Sequence, residues 1–211
     1  MKKSSDILLS TAYLGPVEYF THIIHSDNIY IEKEDHYIKQ SYRNRCHIYT
    51  ANGKQSLTIP VIKVNGNRTK IKDIEISYDE KWQLMHWRAI LSAYSNSPYF
   101  LYYKDELEPF YFEKHKHLLD YNNRLLDIIF RLLELNIDVK FTESYSEKIE
   151  EGMVDQRNEF NPKKEPTVQL YPYKQVFDEK FGFIPNLSVI DLLFNEGPQS
   201  ISYIHSLLKK F

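Results

Sequence analysis

The chain has 211 residues, a formal net charge of −2 at pH 7 and 42% hydrophobic residues, so it is long and apolar enough to bury the core of one domain. The near-neutral charge argues against bulk nucleic-acid binding, which usually requires a broad basic surface. The single cysteine excludes an internal disulfide and a multi-cysteine zinc site. No run approaches the roughly 18 apolar residues of a membrane span, and the apolar run at residues 7–9 is too short for a signal peptide, so we expect a cytoplasmic protein.

The first third of the chain predicts a strand, a helix and a second strand in close succession. Residues 7–11 are typical of a short buried strand, residues 17–26 of a helix and residues 28–32 of a second strand. Gly15-Pro16 precedes the helix, where the missing proline N–H costs no hydrogen bond. Because a helix connects them, the two strands are predicted to be parallel neighbours.

Residues 39–45 (KQSYRNR) concentrate three cations in a chain that is slightly acidic overall. If this segment is extended, Lys39, Arg43 and Arg45 point to one face, because side chains alternate along a strand. Two guanidinium groups and an ammonium group on one face suit a phosphate or a carboxylate. The alternative is a surface strand whose cations are neutralised by the carboxylates just upstream, at Glu32, Glu34 and Asp35.

The following stretch predicts further strands separated by turns. Residues 51–54 carry an Asn-Gly hairpin signal, and residues 56–62 alternate as a strand in which Pro60 indicates an edge or a bulge. Residues 70–76 hold another short strand after a turn. With the N-terminal strands, these segments predict a mixed sheet in the N-terminal third.

The middle of the chain is predicted to be helical. Residues 79–95 form a helix, capped by Asp79, that is apolar on most sides and is therefore buried. Residues 118–136 show the clearest amphipathic pattern, and residues 139–142 indicate one more strand. The predicted fold class is α/β or α+β in a single domain, with a mixed sheet packed by helices from the middle and C-terminal parts.

The C-terminal third begins with residues 143–169, a long polar stretch that predicts a loop or a lid. A helix starts near Ser188, with Ser188 and Asp191 spaced as a capping box, and Gly197-Pro198 ends it. A last helix is indicated by its apolar positions, Ile201, Ile204, Leu207 and Leu208.

Several short motifs follow one another over nearly the whole chain. They are residues 10–16 (STAYLGP) with Tyr19-Phe20, residues 39–46 (KQSYRNRC), residues 57–61 (LTIPV), His86-Trp87 with Ala93-Tyr94, residues 98–100 (PYF) and residues 185–195 (PNLSVIDLLFN) before Gly197-Pro198. Together they resemble the WbqC-like family of bacterial proteins, in the short form found in Bacteroides-type bacteria. The resemblance implies one domain over residues 1–211 and a role in O-antigen-type glycan biosynthesis, because family members occur in gene neighbourhoods for that pathway.

Two hypotheses for the function follow. The leading one is a cytoplasmic enzyme of surface-polysaccharide biosynthesis that binds an anionic activated donor, a nucleotide-activated sugar or an acyl donor, and transfers a sugar-modifying group. Its pathway comes from the resemblance alone, and its anion pocket from charge geometry. The alternative is a non-catalytic accessory or assembly protein of a glycan-biosynthesis complex, with the aromatic-rich residues 99–112 as its interaction surface. The cofactor is unknown, no metal site, nucleic-acid partner or membrane span is predicted, and a homo-oligomer is left open.

His86 and His36 are the candidate catalytic residues, because the ordinary pKa of histidine lies near neutrality. His86 shares a helix face with apolar residues, so a satisfied core histidine is the alternative. His36 lies close to the basic segment. His115 and His117, two residues apart, do not face each other on a helix and predict no metal site.

The other candidates are predicted to bind the ligand. Arg157 and Lys163 belong to a lid over the ligand or to a solvated loop, and the family carries a similar Asp-x-Arg stretch followed by Pro-Lys. Asn122 orients the ligand or is satisfied structurally, and Tyr173 stacks on a sugar or base or simply packs. The full predicted set is Tyr13, Lys39, Tyr42, Arg43, Asn44, Arg45, Asn122, Arg157, Lys163 and Tyr173.

Overall fold

The computed structural model describes residues 6–207, in which most strands precede the central helices and two short strands and three helices follow them. The strands are β1 (Asp6–Ser10), β2 (Ile29–Glu32), β3 (Arg45–Thr50), β4 (Gly53–Thr58), β5 (Val61–Lys63), β6 (Ile74–Ile76), β7 (Val139–Phe141) and β8 (Met153–Asp155). The α-helices are α1 (Val17–Ile23), α2 (Trp82–Tyr94), α3 (Phe100–Leu107), α4 (Leu118–Leu132), α5 (Asp178–Phe181), α6 (Val189–Glu196) and α7 (Ser200–Ser206). The predicted α/β class is confirmed.

A four-stranded parallel sheet, in the order β7-β2-β1-β8, forms the centre of the fold. β1 and β2 are parallel neighbours joined through α1, so the predicted strand–helix–strand unit is confirmed. β7 confirms the strand predicted after the amphipathic helix. β8 pairs with β1 and comes from residues that were predicted to be a loop or a lid.

The two faces of this parallel sheet differ in character. One face joins the main hydrophobic core through side chains that are at most 2% exposed: Ile7, Leu9, Ile29 and Ile31. Buried side chains of α1, α2, α4 and α6 complete that core. The opposite face carries Leu8 and Tyr30 as paired neighbours, and irregular residues 143–150 lie across from it.

The remaining strands form two antiparallel pairs, β3 with β4 and β5 with β6. The predicted Asn-Gly hairpin is confirmed, with Gly53 at a φ of +92°. Pro60 lies between β4 and β5 and divides the predicted strand at 56–62, because proline cannot donate a ladder hydrogen bond. Parallel and antiparallel pairing are thus both present, but in separate sheets.

The two predicted central helices are confirmed as α2 and α4, with shorter bounds. α2 begins at Trp82, and the predicted cap at Asp79 is wrong, because the Asp79 carboxylate accepts a hydrogen bond from the Ser77 hydroxyl instead. α4 begins at Leu118 as predicted and ends at Leu132. Within residues 6–207, no helix has the length and apolar character needed to cross a membrane.

The C-terminal helices are confirmed, but the predicted capping box is wrong. Ser188 Oγ donates to the Leu14 carbonyl at 2.7 Å, and the Asp191 carboxylate binds side chains of other segments. Gly197 follows α6 at a φ of +53°, a conformation that favours glycine. α7 forms the predicted last helix, and Leu208 lies outside the described residues.

Candidate functional site

The loop between β1 and α1, residues 11–16, follows the carboxyl end of an inner strand of the parallel sheet. In open α/β sheets, ligands bind at this edge. Leu14 has a φ of +43°, a conformation that is costly for a residue other than glycine. The Leu14 carbonyl accepts from Ser188 Oγ and the Gly15 carbonyl accepts from the Val189 N–H, so the start of α6 holds this loop in place.

Five polar side chains meet at this edge and form what we call the sheet-edge cluster: Ser10, Glu32, Arg43, Asp155 and Arg157. Ser10, Glu32 and Asp155 are the last residues of β1, β2 and β8. Ser10 Oγ accepts from Arg43 Nη2 at 2.6 Å and donates to the Arg157 carbonyl at 2.7 Å. The ends of three parallel strands therefore gather two arginines from distant segments.

Arg157 is buried, and all of its guanidinium nitrogens donate to protein acceptors. It binds Asp155 through three contacts between 2.6 and 3.1 Å, the Ser146 carbonyl at 3.0 Å and Glu32 Oε2 at 3.4 Å. Hydrogen bonds from Arg157 lower the pKa of Asp155, and the same bonds raise the pKa of Arg157. This predicted ligand-binding residue is therefore engaged with the protein's own carboxylates.

Arg43 is 4% exposed, but its pairing is incomplete. All of its hydrogen bonds to the described chain come from Nη2, and the buried Nε makes none. Its ion pair with Asp35 Oδ2 spans 4.0 Å, and burial lowers the pKa of Arg43 although Asp35 opposes this shift. A buried guanidinium with an unpaired N–H favours an additional acceptor.

A cavity of about 10 Å³ lies beside Arg43. Its walls are Ser10, Thr11, Ala12, Tyr19, Tyr42, Arg43, Arg157 and Phe160. This volume suits about one water molecule and is too small for a phosphate. Arg157 and Phe160 follow β8, and Lys163 Nζ nearby donates to Gln40 Oε1 at 2.9 Å, so this part of the chain closes the cavity. A larger ligand therefore requires the segment after β8 to move.

The predicted extended conformation of the basic segment is wrong, because residues 39–44 form turns. Gln40 has a φ of +55°, and Ser41 Oγ donates back to the Ile38 carbonyl, so the alternation of a strand is lost. The three predicted cations consequently do not share one strand face. Lys39 is exposed, Arg43 is buried and Arg45 Nε donates to Thr58 Oγ1 at 3.0 Å.

Tyr42, Asn44 and Asn122, all predicted to bind the ligand, surround the backbone and side chain of Arg43. Tyr42 lines the cavity, and burial raises its pKa to about 12. Asn122 Nδ2 donates to the Arg43 carbonyl at 2.7 Å and to Thr11 Oγ1 at 3.2 Å, while Asn44 Nδ2 donates to a backbone carbonyl. The buried amide oxygens of both asparagines lack a hydrogen-bond partner in the described part of the chain. Both amides therefore position this segment and keep an acceptor unused.

Tyr13, His86 and Tyr111 form a second, separate group, a buried hydrogen-bonded chain. Tyr13 Oη lies 3.0 Å from His86 Nδ1 and 3.0 Å from Tyr111 Oη. Burial lowers the pKa of His86 to about 4 and raises the pKa of Tyr13 well above its usual value. His86 is therefore neutral at pH 7, and it reaches the loop after β1 through Tyr13.

Tyr173 belongs to a third group, the Asp191 network of Asp191, Tyr94, Tyr173 and Gln175. Asp191 is 0% exposed, and its carboxylate accepts from Tyr94 Oη at 2.8 Å, Tyr173 Oη at 2.6 Å and Gln175 Nε2 at 2.9 Å. Burial raises the pKa of Asp191, although the three donors oppose this shift. Tyr173 thus ties the C-terminal segment to α2 and α6, and it does not line the cavity beside Arg43.

The structure brings some predicted residues together and separates others. Tyr42, Arg43 and Arg157 line one cavity. His36 lies on the surface, and its backbone N–H donates to Asp35 Oδ1. Ser10 was not predicted. Its position at the end of a buried parallel strand is the signal that could have identified it, because ligand-binding side chains concentrate there.

Potential metal ligands do not converge in the described residues, where no group of three or more His, Cys, Asp or Glu side chains could hold a metal ion. Cys46 is buried, and desolvation raises the pKa of its thiol. A buried thiol of this kind is inert, so Cys46 is a core residue.

Comparison with known proteins agrees with the motifs. The model of the WbqC-like protein family matches residues 11–163 and 159–203. A relative from Mycobacterium tuberculosis (strain ATCC 25618 / H37Rv), Uncharacterized protein Rv1507c, is 28% identical over 231 residues, covering 97% of this chain and 98% of the relative. No solved structure matches the chain. Because the family match spans most of the sequence, the chain belongs to the WbqC-like protein family.

Proposed function

We propose that the protein is a cytoplasmic enzyme of surface-polysaccharide (O-antigen-type glycan) biosynthesis that binds an anionic activated donor beside Arg43 and transfers a sugar-modifying group. Membership of the WbqC-like family supports the pathway, through the gene neighbourhoods in which family members occur. One observation carries the binding site: the buried, incompletely paired guanidinium of Arg43 beside a cavity at the carboxyl end of β1.

A phosphate or carboxylate supplies what the surroundings of Arg43 lack. It offers oxygen acceptors to the unpaired N–H groups and a negative charge that Asp35, at 4.0 Å, provides only weakly. Lys39 and Lys163 are exposed on the segments around the closed cavity and add positive charge outside it. The phosphate groups of a nucleotide-activated sugar or an acyl-coenzyme A donor match this arrangement.

Residues 156–167 act in this proposal as a lid. Phe160 covers the cavity, the Lys163–Gln40 hydrogen bond joins the lid to the basic segment, and Thr167 donates to the buried Glu18 at the base of the lid. The Lys163–Gln40 bond is exposed, so breaking it costs little. Opening at that end would enlarge the cavity and admit the donor.

His86 and His36 stay the predicted groups for proton transfer. His86 is neutral at pH 7 and is connected to the loop after β1 through Tyr13, so it would act on a group held at the Tyr13 side of that loop. His36 is exposed near Asp35, the ion-pair partner of Arg43. Replacing each histidine by glutamine and measuring turnover once a donor is known separates the two assignments.

A thermal-shift screen of nucleotide sugars, acyl-coenzyme A thioesters and aminoacyl donors tests the binding site. A donor at 100 times its dissociation constant is expected to stabilise the wild type by roughly 2.7 kcal/mol. Arg43→Lys should reduce this stabilisation, because the charge stays but the planar fork is lost, and Arg43→Ala should abolish it.

Arg131→Ala is the matched control, because Arg131 is 63% exposed and pairs with Glu106 on the surface. This variant should keep the full donor-induced stabilisation. A donor that stabilises the wild type and Arg43→Ala equally would show that the site lies elsewhere and would remove Arg43 from the proposed function.

The second candidate function is an accessory protein of a glycan-biosynthesis complex. The exposed apolar side chains in residues 99–112 favour it: Leu101 is 69% exposed, Tyr102 is 76% exposed and Phe112 is 64% exposed. Single replacements of these three by serine should leave donor binding intact under the leading proposal. Loss of co-purification with other enzymes of the pathway, without any effect on donor binding, would favour the accessory role.

A further inference from the structure

A second and larger cavity, of about 440 Å³, lies on the face of the parallel sheet opposite the main core, and we call it the sheet-face cavity. Residues of all four strands line it: Leu8 of β1, Tyr30 and Glu32 of β2, Phe141 of β7 and Met153 of β8. The strand register pairs Leu8 with Tyr30 and Asp6 with Met153, which places Leu8, Tyr30 and Met153 on one face because side chains alternate. Residues 142–150 provide the opposite walls.

This sheet face is unusual because no helix of the described chain lines it. Parallel sheets are normally covered by helices on both faces. Here the other face packs on the core, while an irregular segment stands over this one and leaves space for a ligand. A concave surface with an aromatic and aliphatic floor and a few polar groups is the usual form of a small-molecule site.

The walls of the sheet-face cavity are rich in oxygen. Their hydroxyl groups come from Thr142, Ser144 and Ser146, their carboxylates from Glu32, Glu143 and Glu150, and their one ammonium group from Lys148. Glu32 is paired with Arg157, so the two carboxylates without a partner in the described chain, against one ammonium, disfavour an anion in this cavity. The carboxylates of Glu143 and Glu150 make no hydrogen bond or ion pair within residues 6–207, so their acceptors are available to a ligand.

Arg157 lines the cavity beside Arg43 and bonds to two residues of the sheet-face cavity. The Arg157 guanidinium donates to Glu32 Oε2 and to the Ser146 carbonyl, and both of these residues line the sheet-face cavity. The Arg157 carbonyl accepts from Ser10 Oγ and from Arg43 Nη2, on the side of the smaller cavity. Residues of the two cavities are therefore joined through Arg157 at the carboxyl edge of the sheet.

We propose that the sheet-face cavity binds a sugar, a hydroxyl-rich ring that is uncharged or carries an amine. Lys140 Nζ lies 5.3 Å from the centroid of the Tyr30 ring. The cavity side of the ring would cover the apolar face of the sugar, and the Glu143 and Glu150 carboxylates would accept from its hydroxyl or ammonium groups. The site deepens the proposed function, and in this sense rests on it, because it gives the sugar acceptor a place next to the donor.

A ligand-observed NMR titration with glucosamine and N-acetylglucosamine tests this proposal. Tyr30→Ala is expected to weaken binding of both sugars about tenfold, because ring stacking is lost. The double variant Glu143→Gln/Glu150→Gln should weaken glucosamine several-fold more than N-acetylglucosamine, because only the former carries an ammonium group. Both glutamates are exposed, so this double variant should fold even if Tyr30→Ala does not.

Asp127→Asn is the matched control, because Asp127 lines a groove between α4 and β7 with a similar volume of about 460 Å³ and other aspartates in its walls. It should leave both affinities unchanged. Sugars that do not bind, or that bind equally to the wild type and to the double glutamine variant, overturn the sugar site.

Donor binding at Arg43 and sugar binding in the sheet-face cavity are measured separately. Sugar binding that survives Arg43→Ala supports a separate sugar site even if every donor fails to bind. Donor binding that requires Arg43, in a protein that binds neither sugar, leaves the proposed function standing and ends this inference.

Discussion

Asp191 and Arg43 are both buried charges, and their surroundings satisfy them to different extents. Asp191 is 0% exposed and accepts hydrogen bonds from three side chains. Arg43 is 4% exposed, yet its Nε has no partner in the described chain and a cavity lies beside it. Since an uncompensated buried charge is costly, the complete Asp191 network fits a structural role, and the incomplete pairing of Arg43 is the basis of the donor site proposed above.

Asp191→Ala tests the structural half of this comparison and should have the largest effect. The change leaves the hydroxyl groups of Tyr94 and Tyr173 without their acceptor and removes one of the two acceptors of Gln175 Nε2, so we expect a loss of about 3–5 kcal/mol in the free energy of unfolding. Urea denaturation measures it. Asp105→Ala, which removes an exposed partner of Lys104, is the control and should cost far less. A loss similar to that of the control would contradict the structural role.

His86 differs from Asp191 and Arg43, because burial keeps its imidazole ring neutral. Burial lowers its pKa from 6.5 to about 4. Between these pH values the unfolded chain binds a proton that the folded chain does not. The contribution of neutral His86 to the free energy of unfolding is therefore complete above pH 6.5 and decreases as the pH drops toward 4.

The expected slope from His86 is up to about 1.4 kcal/mol per pH unit, or about 3 kcal/mol over the whole range. Urea denaturation of the wild type and of His86→Gln across this range measures it, and the variant should lose that part of the slope. His47, whose pKa burial also lowers to about 4, contributes similarly, so His47→Gln provides an internal comparison. Parallel pH profiles for the wild type and His86→Gln would show that His86 is protonated in the fold.

Tyr173→Phe sharpens the comparison by removing one donor from Asp191. The lost bond is 2.6 Å long and ends on a buried carboxylate, so we expect a cost of about 1.5–3 kcal/mol in unfolding free energy. Tyr171→Phe, whose hydroxyl bonds the nearby Gln169 side chain in an exposed position, should change stability by less than about 0.5 kcal/mol. Equal effects of the two substitutions would argue against a special role of the Asp191 network.

Arg43→Met should have the smallest effect on stability and a complete effect on donor binding. Replacing a poorly compensated buried charge by an apolar side chain of similar length is often neutral, so we expect a change of less than about 1 kcal/mol. Donor-induced stabilisation should disappear at the same time. A loss of stability as large as that of Asp191→Ala would show that Arg43 is a structural charge like Asp191. It would contradict the proposed difference between the two residues.

Local signals predicted the elements that are local in origin. Gly15-Pro16 between two apolar runs gave the parallel pair β1 and β2, and the Asn-Gly turn gave the β3–β4 hairpin. β8 was not predicted, because three residues in a polar stretch carry no periodicity and its partner, β1, lies far away in the sequence. Sequence periodicity does not reveal such a distant partner.

The candidate site was predicted in part for the same reason. A local surplus of positive charge identified Arg43, but the extended geometry failed because Gln40 adopts a positive φ. Asp191 fits a capping box by its spacing, yet its acceptors are taken by side chains that reach it from α2 and the C-terminal segment. Local spacing shows which neighbouring residues could form a hydrogen bond, but the tertiary structure determines which side chains lie close enough to form it.

Arg157 bonds to residues of both cavities with different parts of one residue: its guanidinium group donates to Glu32 and Ser146, and its carbonyl accepts from Ser10 and Arg43. Two ligands that each displace this residue cannot bind independently. By thermodynamic linkage, the factor by which the first alters the affinity of the second equals the factor by which the second alters the affinity of the first. If the proposed donor and the proposed sugar both displace Arg157, the affinity for each therefore depends on the occupancy of the other site.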